Sequence, residues 1–497
     1  MFGTVRGGGL TMYQVSYRPA PVDGDGSIIA GVRHLRSVPD ATPSWTVEPA
    51  ADIAEREAYH RLRHAVFVEA QGLFTDDDRD EIDADPRTVV LVARDPNGEV
   101  AGGVRLGPVT DPDLGWWHGG RLVVRPGAPL GLGAELVRAA CRHAVAAGVL
   151  RFEADVQARN ERFFARLGWA AVEPPAAPLS EHVRMRYDID RIPALVRATK
   201  APLGALLAHL APGGAGFVGD DGAPVPGSDL IAACDAILPL MVERDPWWAG
   251  WCSVLVNIND LAAMGAHPVG LLDAVGAADE SAAAAVLAGI TAAAAAYGVP
   301  VLGGHTTLGG PAFLAVTALG RSDAPVPGGG GQVGHAVRLT ADLAGDWRPG
   351  YGTRQWDSTS RRDPGDLRAM IGAVAAARPA AAKDVSMAGL VGTLAMLAEA
   401  SGVAAELDVA AVPRPTGASV GDWFTCFPGF AMLTTGPAGS PALSAGPAVS
   451  AECGVLRPGF GVTLRWPDGV CTPVLDGHAT GLGTALTGRQ DVDGAAS

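Results

Sequence analysis

The chain has 497 residues, 48% hydrophobic and 18% charged, which excludes wholesale disorder and predicts two to four domains. Its 38 Lys+Arg against 53 Asp+Glu leave a net charge of −15, so the molecule as a whole repels nucleic acid and anionic membranes, and neither is expected as a partner. Six cysteines without a C-x-x-C pair argue against a zinc site or a disulfide framework and point to the cytoplasm.

Residues 1–45 are rich in Gly, Pro and Arg without a sustained period and predict a flexible extension with no secretory signal. A mixed α/β domain follows over 46–190. Ala51–Glu69 has the spacing of an amphipathic helix, and a hairpin turns at Pro96-Asn97-Gly98. A strand ending GRLVV then leads through Gly131-Leu132-Gly133-Ala134 into a helix to Gly148 and a strand LRFEADVQ. Glycines there let backbone N–H groups approach a pyrophosphate, and the helix start favours the anion. On the last strand, Glu153 and Asp155 are candidate base or amine-binding carboxylates, against the plainer reading of a solvated strand edge. The run Asp76–Asp83 reads as a solvated loop, or else as an attractor of a cationic substrate.

A second domain spans 191–325. Its uncharged stretch Ser281–Leu302 is mostly alanine, opened by Asp279 and Glu280 and closed by Gly298 and Pro300, which predicts a packed helix rather than a membrane span. Trp247, Trp248 and Trp251 read as core or dimer aromatics, or as a substrate wall. The Gly-Pro cluster Ala324–Gly334 looks like a hinge to a third domain, 326–490, ahead of a tail at 491–497. Asp220, Asp221, Asp235, Asp260 and Asp384 each stand beside small residues; such carboxylates are the hard ligands that Mg2+ and nucleotide phosphates require, although each alone also suits a turn or cap. Lys200 and Lys383 are the only lysines in an arginine-rich chain.

With NERFFARLGWA at 160–170, the strand, Gly-rich turn, helix and strand over about 50–188 resemble the GCN5-related N-acetyltransferase (GNAT) family. That resemblance implies that Val124, Gly131, Leu132, Gly133, Ala134 and Asn160 bind the pantetheine and pyrophosphate of acetyl-CoA or another acyl-CoA. Ala128 stands where the family usually has Arg or Gln, and Phe164 where a tyrosine often protonates the departing thiolate. These departures give the alternative of a catalytically weak acyl-CoA sensor or scaffold.

The blocks NINDLAAMGAHP, VPVLGGHTTLGG and AAKDVSMAGL resemble the signatures of the PurM-like, or AIR synthase-related, superfamily. The implied architecture is therefore α/β (α+β): a GNAT fold followed by a two-part PurM-like α/β module that dimerises through its amino-terminal half. Carried over, Asp220, Asp221, Asp235, Asp260 and Asp384 hold Mg2+ and triphosphate, Asn257 and Asn259 lie alongside, and Gly303 and Gly304 admit a phosphate. Lys383 offsets phosphate charge. His305 replaces the aspartate of G-G-D-T and joins Lys383, Glu153 and Asp155 as a catalytic candidate; Met387 replaces the second aspartate of D-x-S-D-G, against a simple thiamine-phosphate kinase. The domain order resembles fusions found in bacterial nitrilase gene clusters. The expected function is acyl-CoA-dependent N-acyl transfer coupled to ATP/Mg2+-dependent phosphoryl transfer or amide-oxygen activation on a small molecule.

Overall fold

A computed structural model of the chain describes residues 45–172, 182–207, 209, 210 and 212–485. The expected extension, Trp45 apart, and the expected tail lie outside the described residues.

The first sheet has the order β1-β2-β3-β4-β5-β7-β6, built from β1 (Thr46–Pro49), β2 (Val89–Arg94), β3 (Val100–Pro108), β4 (Trp116–Val124), β5 (Arg151–Gln157), β6 (Trp169–Ala171) and β7 (His182–Tyr187). β4 and β5 form its one parallel pair, from Trp116 opposite Arg151 to Gly119 opposite Ala154. Beyond that point both strands continue unpaired with each other and the sheet opens into a fork. The helix Leu132–Ala146 buries Leu132, Leu136, Val137, Ala140 and Ala144 against the sheet, a stripe at helical spacing. The amphipathic stretch expected as one helix is an α-helix over Ile53–Arg63 that loosens into π-helical turns over His64–Ala70.

The acidic run is divided: Asp76, Asp77 and Glu81 stay exposed, as a solvated loop requires, while Asp78, Asp80 and Asp83 are engaged by arginines. Buried Arg63 binds Asp78 and Asp83, while Arg105 binds Asp80 and Asp83. Arg121 donates to Asp80 and lies 4.6 Å over the Phe74 ring. The arginines lie on separate elements, so only the fold reveals the pairing.

The second sheet comprises β8 (Ala223–Pro224), β9 (Leu230–Ile237), β10 (His267–Ala277), β11 (Val301–Leu308) and β12 (Phe313–Arg321) in the order β11-β10-β12-β9-β8. Helices Pro246–Ala263 and Glu280–Tyr297 pack against it and each other. They approach so closely that a Cβ on Gly250 would overlap the Val286 carbonyl oxygen, and one on Gly289 the Trp247 carbonyl oxygen. Glu280–Tyr297 is long and apolar enough to cross a membrane by composition. Here Asp279 caps it by accepting from the Ala282 N–H at 2.9 Å, Gly298 closes it at φ +73°, and Val286, Ile290, Ala293 and Tyr297 enter the core.

The third sheet has the order β16-β19-β13-β20-β17-β21-β22, from β13 (Ala336–Ala341), β16 (Ala381–Asp384), β17 (Ala404–Asp408), β19 (Ala431–Gly436), β20 (Val449–Arg457), β21 (Val462–Arg465) and β22 (Cys471–Leu475). A small sheet joins β14 (Asp346–Trp347), β15 (Gln355–Asp357) and β18 (Phe427–Pro428). One hydrophobic core runs from the second sheet into the third, including Leu255, Ile258, Leu367, Ala382 and Met432. Trp248 and Trp251 belong to it and donate to Gln355 and Thr359. The middle of the segment read as a hinge is packed instead: a Cβ on Gly329 would lie 2.6 Å from the Ala400 carbonyl oxygen, and one on Gly330 would overlap the Ala380 carbonyl oxygen. These two glycines serve close backbone approach.

Candidate functional sites

The acidic site forms where three elements meet. The Pro246–Ala263 helix brings Asp260, strand β16 brings Lys383 and Asp384, and the turn before β8 brings Asp220 and Asp221. Carboxylate oxygens of Asp221, Asp260 and Asp384 all lie within 4.8 Å of one another. Burial, reinforced by the Asp384, Asp235 and Asp221 carboxylates, pushes Asp260 well above the usual carboxylate range. Asp384 is raised likewise, by burial and then by Asp221 and Asp235.

Lys383 is the counter-charge. Its Nζ donates to Asp221 Oδ1 at 2.8 Å and to the Gly219 carbonyl oxygen at 2.9 Å, and lies 3.9 Å from Asp220. Burial disfavours its charge, but Asp221 and Asp220 outweigh burial and hold it protonated. It is thus engaged within the acidic loop. Asp220 turns away from the trio and accepts from the Gly328 N–H at 2.9 Å; burial, against Lys383 and this N–H, pushes its carboxyl up to about 6. Gly328 was missed in the sequence because it sat inside an apparent hinge. A Cβ there would strike the Asp220 carboxylate and approach the Lys383 stem.

Asp235 is solvent-exposed at the margin of the trio, its N–H donating to Asn257 Oδ1 at 3.1 Å. Asn257 also donates to the Ser253 carbonyl, so it braces strand against helix. Asn259 donates to the Gly429 carbonyl oxygen at 3.0 Å, and its buried Oδ1 has no partner among the described residues. Gly303, Gly304 and His305 lie on β11, exposed and outside the trio. Gly304 pairs with Asp273, whose carboxylate fills the space a Cβ would take, so the observed need for glycine there is strand packing.

The second site is a cavity of about 750 Å³ at the β4–β5 fork. Val124, Arg121, Asp155, Gln157, Asn160, Phe164 and His182 are among its lining residues. Gly131 caps the Leu132–Ala146 helix at φ +96°, a left-handed conformation that favours glycine, and Gly133 would bring a Cβ within 3.7 Å of Val124. Leu132 points into the core, leaving only its backbone for a ligand, and Ala134 follows in the first turn. Arg121 has φ +56°, and its carbonyl accepts from Tyr59 Oη at 2.8 Å. The bulge lies in β4 itself, where Arg121 and Leu122 stand opposite the single Val104 of β3, and it bends the wall of the fork.

The two strand carboxylates differ. Asp155 lines the cavity; His118 at 3.5 Å and Arg184 at 2.9 Å hold its carboxyl well below the usual range. Glu153 lies outside the lining and is fully buried. Burial opposes its charge, but Arg151 at 3.0 Å and Arg186 at 2.6 Å prevail and keep it ionised. Glu153 therefore serves an ion network, not the open site. Arg151 continues that network: it binds Asp468 of the third-sheet region at 2.8 Å and lies 3.9 Å over the Trp116 ring and 5.7 Å over the Trp466 ring.

Three family models match: the acetyltransferase (GNAT) family over 51–169, the AIR synthase related protein N-terminal domain over 219–322, and its C-terminal domain over 315–448. An uncharacterized Synechocystis protein, sll0787, is 36% identical over 44% of this chain and 69% of its own length. A Methanocaldococcus jannaschii protein, MJ0640, is 32% identical over 38% and 60%, and a Methanospirillum hungatei thiamine-monophosphate kinase 30% over 35% and 61%; the match thus spans about three fifths of each of these two relatives. Among solved structures, thiamine monophosphate kinase from Aquifex aeolicus aligns at 19% identity and TM-score 0.40, over 52% of this chain and 93% of that one. Thermotoga maritima PurL complexed with AMPPCP aligns at 15% and 0.46, over 58% and 50%. The matches thus assign residues 219–448 to the AIR synthase-related family, in its two domains, and the preceding residues 51–169 of the same polypeptide to the GNAT family.

Proposed function

We propose that the protein is a cytoplasmic bifunctional enzyme that joins acyl-CoA-dependent N-acyl transfer to ATP-dependent phosphorylation or activation of an oxygen on a small metabolite. The observation that carries this reading is the convergence of Asp221, Asp260 and Asp384 from three distant stretches of chain. Their crowding, with Lys383 as the one buried counter-charge beside them among the described residues, fits a hard divalent cation such as Mg2+. These three carboxylates would hold it, and when bound it supplies charge neutralisation for nucleotide phosphate oxygens. Lys383 orients Asp221, and the unpartnered Asn259 Oδ1 offers a further polar contact.

In the GNAT half, the Gly131 turn and the start of its helix would receive the pyrophosphate, with the thioester reaching the fork past Val124. One observation favours the sensor reading: the apolar ring of Phe164 lines the cavity and has no proton to give a thiolate. Association through the second sheet is supported by β11, exposed throughout with Val301, Leu302 and Leu308 outward.

Calorimetry of ATP binding with and without Mg2+ tests the ATP half. Binding should require Mg2+ in the wild type and be lost in Asp260→Asn; binding indifferent to both would sink it. For the GNAT half, acetyl-CoA with a panel of amines should release CoA in an amine-dependent way, whereas binding without release selects the sensor.

A further inference from the structure

The cavity at the fork is larger and more apolar than a two-carbon acyl group requires. Its volume of about 750 Å³ falls within the roughly 300–1,000 Å³ typical of sites that enclose whole drug-sized ligands. The lining is segregated. Val104, Val137, Ala140, Phe152, Phe164 and Trp169 are 9% exposed or less and form an apolar inner wall. The polar lining residues, among them Gln71, Asp155, Arg159 and Asn160, are all partly or fully exposed and form the mouth.

The inner wall draws on both sides of the sheet. Val137 and Ala140 come from the helix that Gly131 begins, while Phe67 comes from the π-helical turns. The end of the β4–β5 ladder at Gly119 and Ala154 joins the two sides. Gly120, the first residue of β4 past the ladder, borders the cavity, and a Cβ there would meet nothing within 4 Å. A chain entering at the fork therefore meets open space beside apolar side chains.

We infer that this inner chamber receives the hydrocarbon tail of a medium- or long-chain acyl thioester, so that the acyl group used or sensed here is fatty rather than acetyl. This rests on the acyl-CoA reading of the same site and adds the class of acyl chain to it. Burying each methylene should tighten binding about fourfold.

The test is a chain-length series on the intact protein, with CoA, acetyl-CoA, butanoyl-CoA, octanoyl-CoA and dodecanoyl-CoA titrated by calorimetry. Octanoyl-CoA should bind on the order of 100-fold more tightly than acetyl-CoA even if only part of the tail is sequestered. In Ala140→Leu, which fills the chamber from the helix, the ratio of octanoyl-CoA to acetyl-CoA affinity should fall at least about tenfold. Equal affinities for acetyl-CoA and octanoyl-CoA in the wild type would overturn the inference while leaving the acyl-CoA reading intact. Failure of every thioester and of CoA itself to bind would overturn both. The wild-type series needs no variant, so misfolding of Ala140→Leu cannot decide the matter.

Discussion

Lys383 shows how one buried charge organises an acidic site. Removing one partner of a buried ion pair strands the other, at a cost of about 3–5 kcal/mol. Lys383→Met should lose that much stability in urea unfolding with a chelator present, because Asp220 and Asp221 are left without a counter-charge; a loss below about 1 kcal/mol would show that these carboxylates do not depend on the lysine. In the GNAT half the arginines play the same part in reverse. The Arg94 guanidinium beside Glu55, helped by the Ala51 N–H, lowers that carboxyl from 4.5 to about 2. A depressed carboxylate gives its full stabilisation above its unfolded value and loses it as pH falls through the folded one, so the contribution of Glu55 fades between about 4.5 and 2. Acid unfolding followed by fluorescence should therefore shift to higher pH in Arg94→Met; an unchanged acid limb would remove Glu55 from the account.

At the scale of elements, the crossing of helices Pro246–Ala263 and Glu280–Tyr297 depends on two glycines that have no left-handed φ and serve only contact. Gly250→Ala should cost roughly 1–3 kcal/mol by overpacking, although alanine has the higher helix propensity. A stabilised Gly250→Ala in a denaturant melt would mean that the helices are less closely apposed than described. Much at this scale was legible in the sequence. The caps Asp279 and Gly298, the turn at Gly98 and the helix begun at Gly131 each have a local cause written in adjacent residues. The pairing of Asp78, Asp80 and Asp83 with Arg63, Arg105 and Arg121 was not legible, nor was the close packing of Gly328–Gly331, because both arise from residues far apart in the chain. For the same reason the motif pattern indicated five acidic positions, and only the fold separates the three that converge from Asp220, which faces Gly328, and Asp235, at the margin.

The whole molecule is bound across its two halves by more than a linker. Arg151 and Asp468 pair, Gly421 N–H donates to the Gly148 carbonyl oxygen at 2.9 Å, and Arg414 donates to the Asp113 carbonyl oxygen at the same distance. Asp468→Ala leaves Arg151 paired with Glu153 of its own strand and holding the other half through the Trp466 ring without an ion pair, and should separate the thermal unfolding of the halves into two calorimetric transitions. A single unshifted transition would mean that the Asp468 contact carries no coupling. The stacking of Trp116, Arg151 and Trp466 also bears on how the protein is to be handled. A truncation ending near Asp190 would lay the Trp116 indole bare and remove Asp468 from Arg151, turning an internal seam into a sticky, charged surface. Rates measured on such a fragment would describe a damaged protein, so assays of either proposed chemistry belong on the undivided polypeptide.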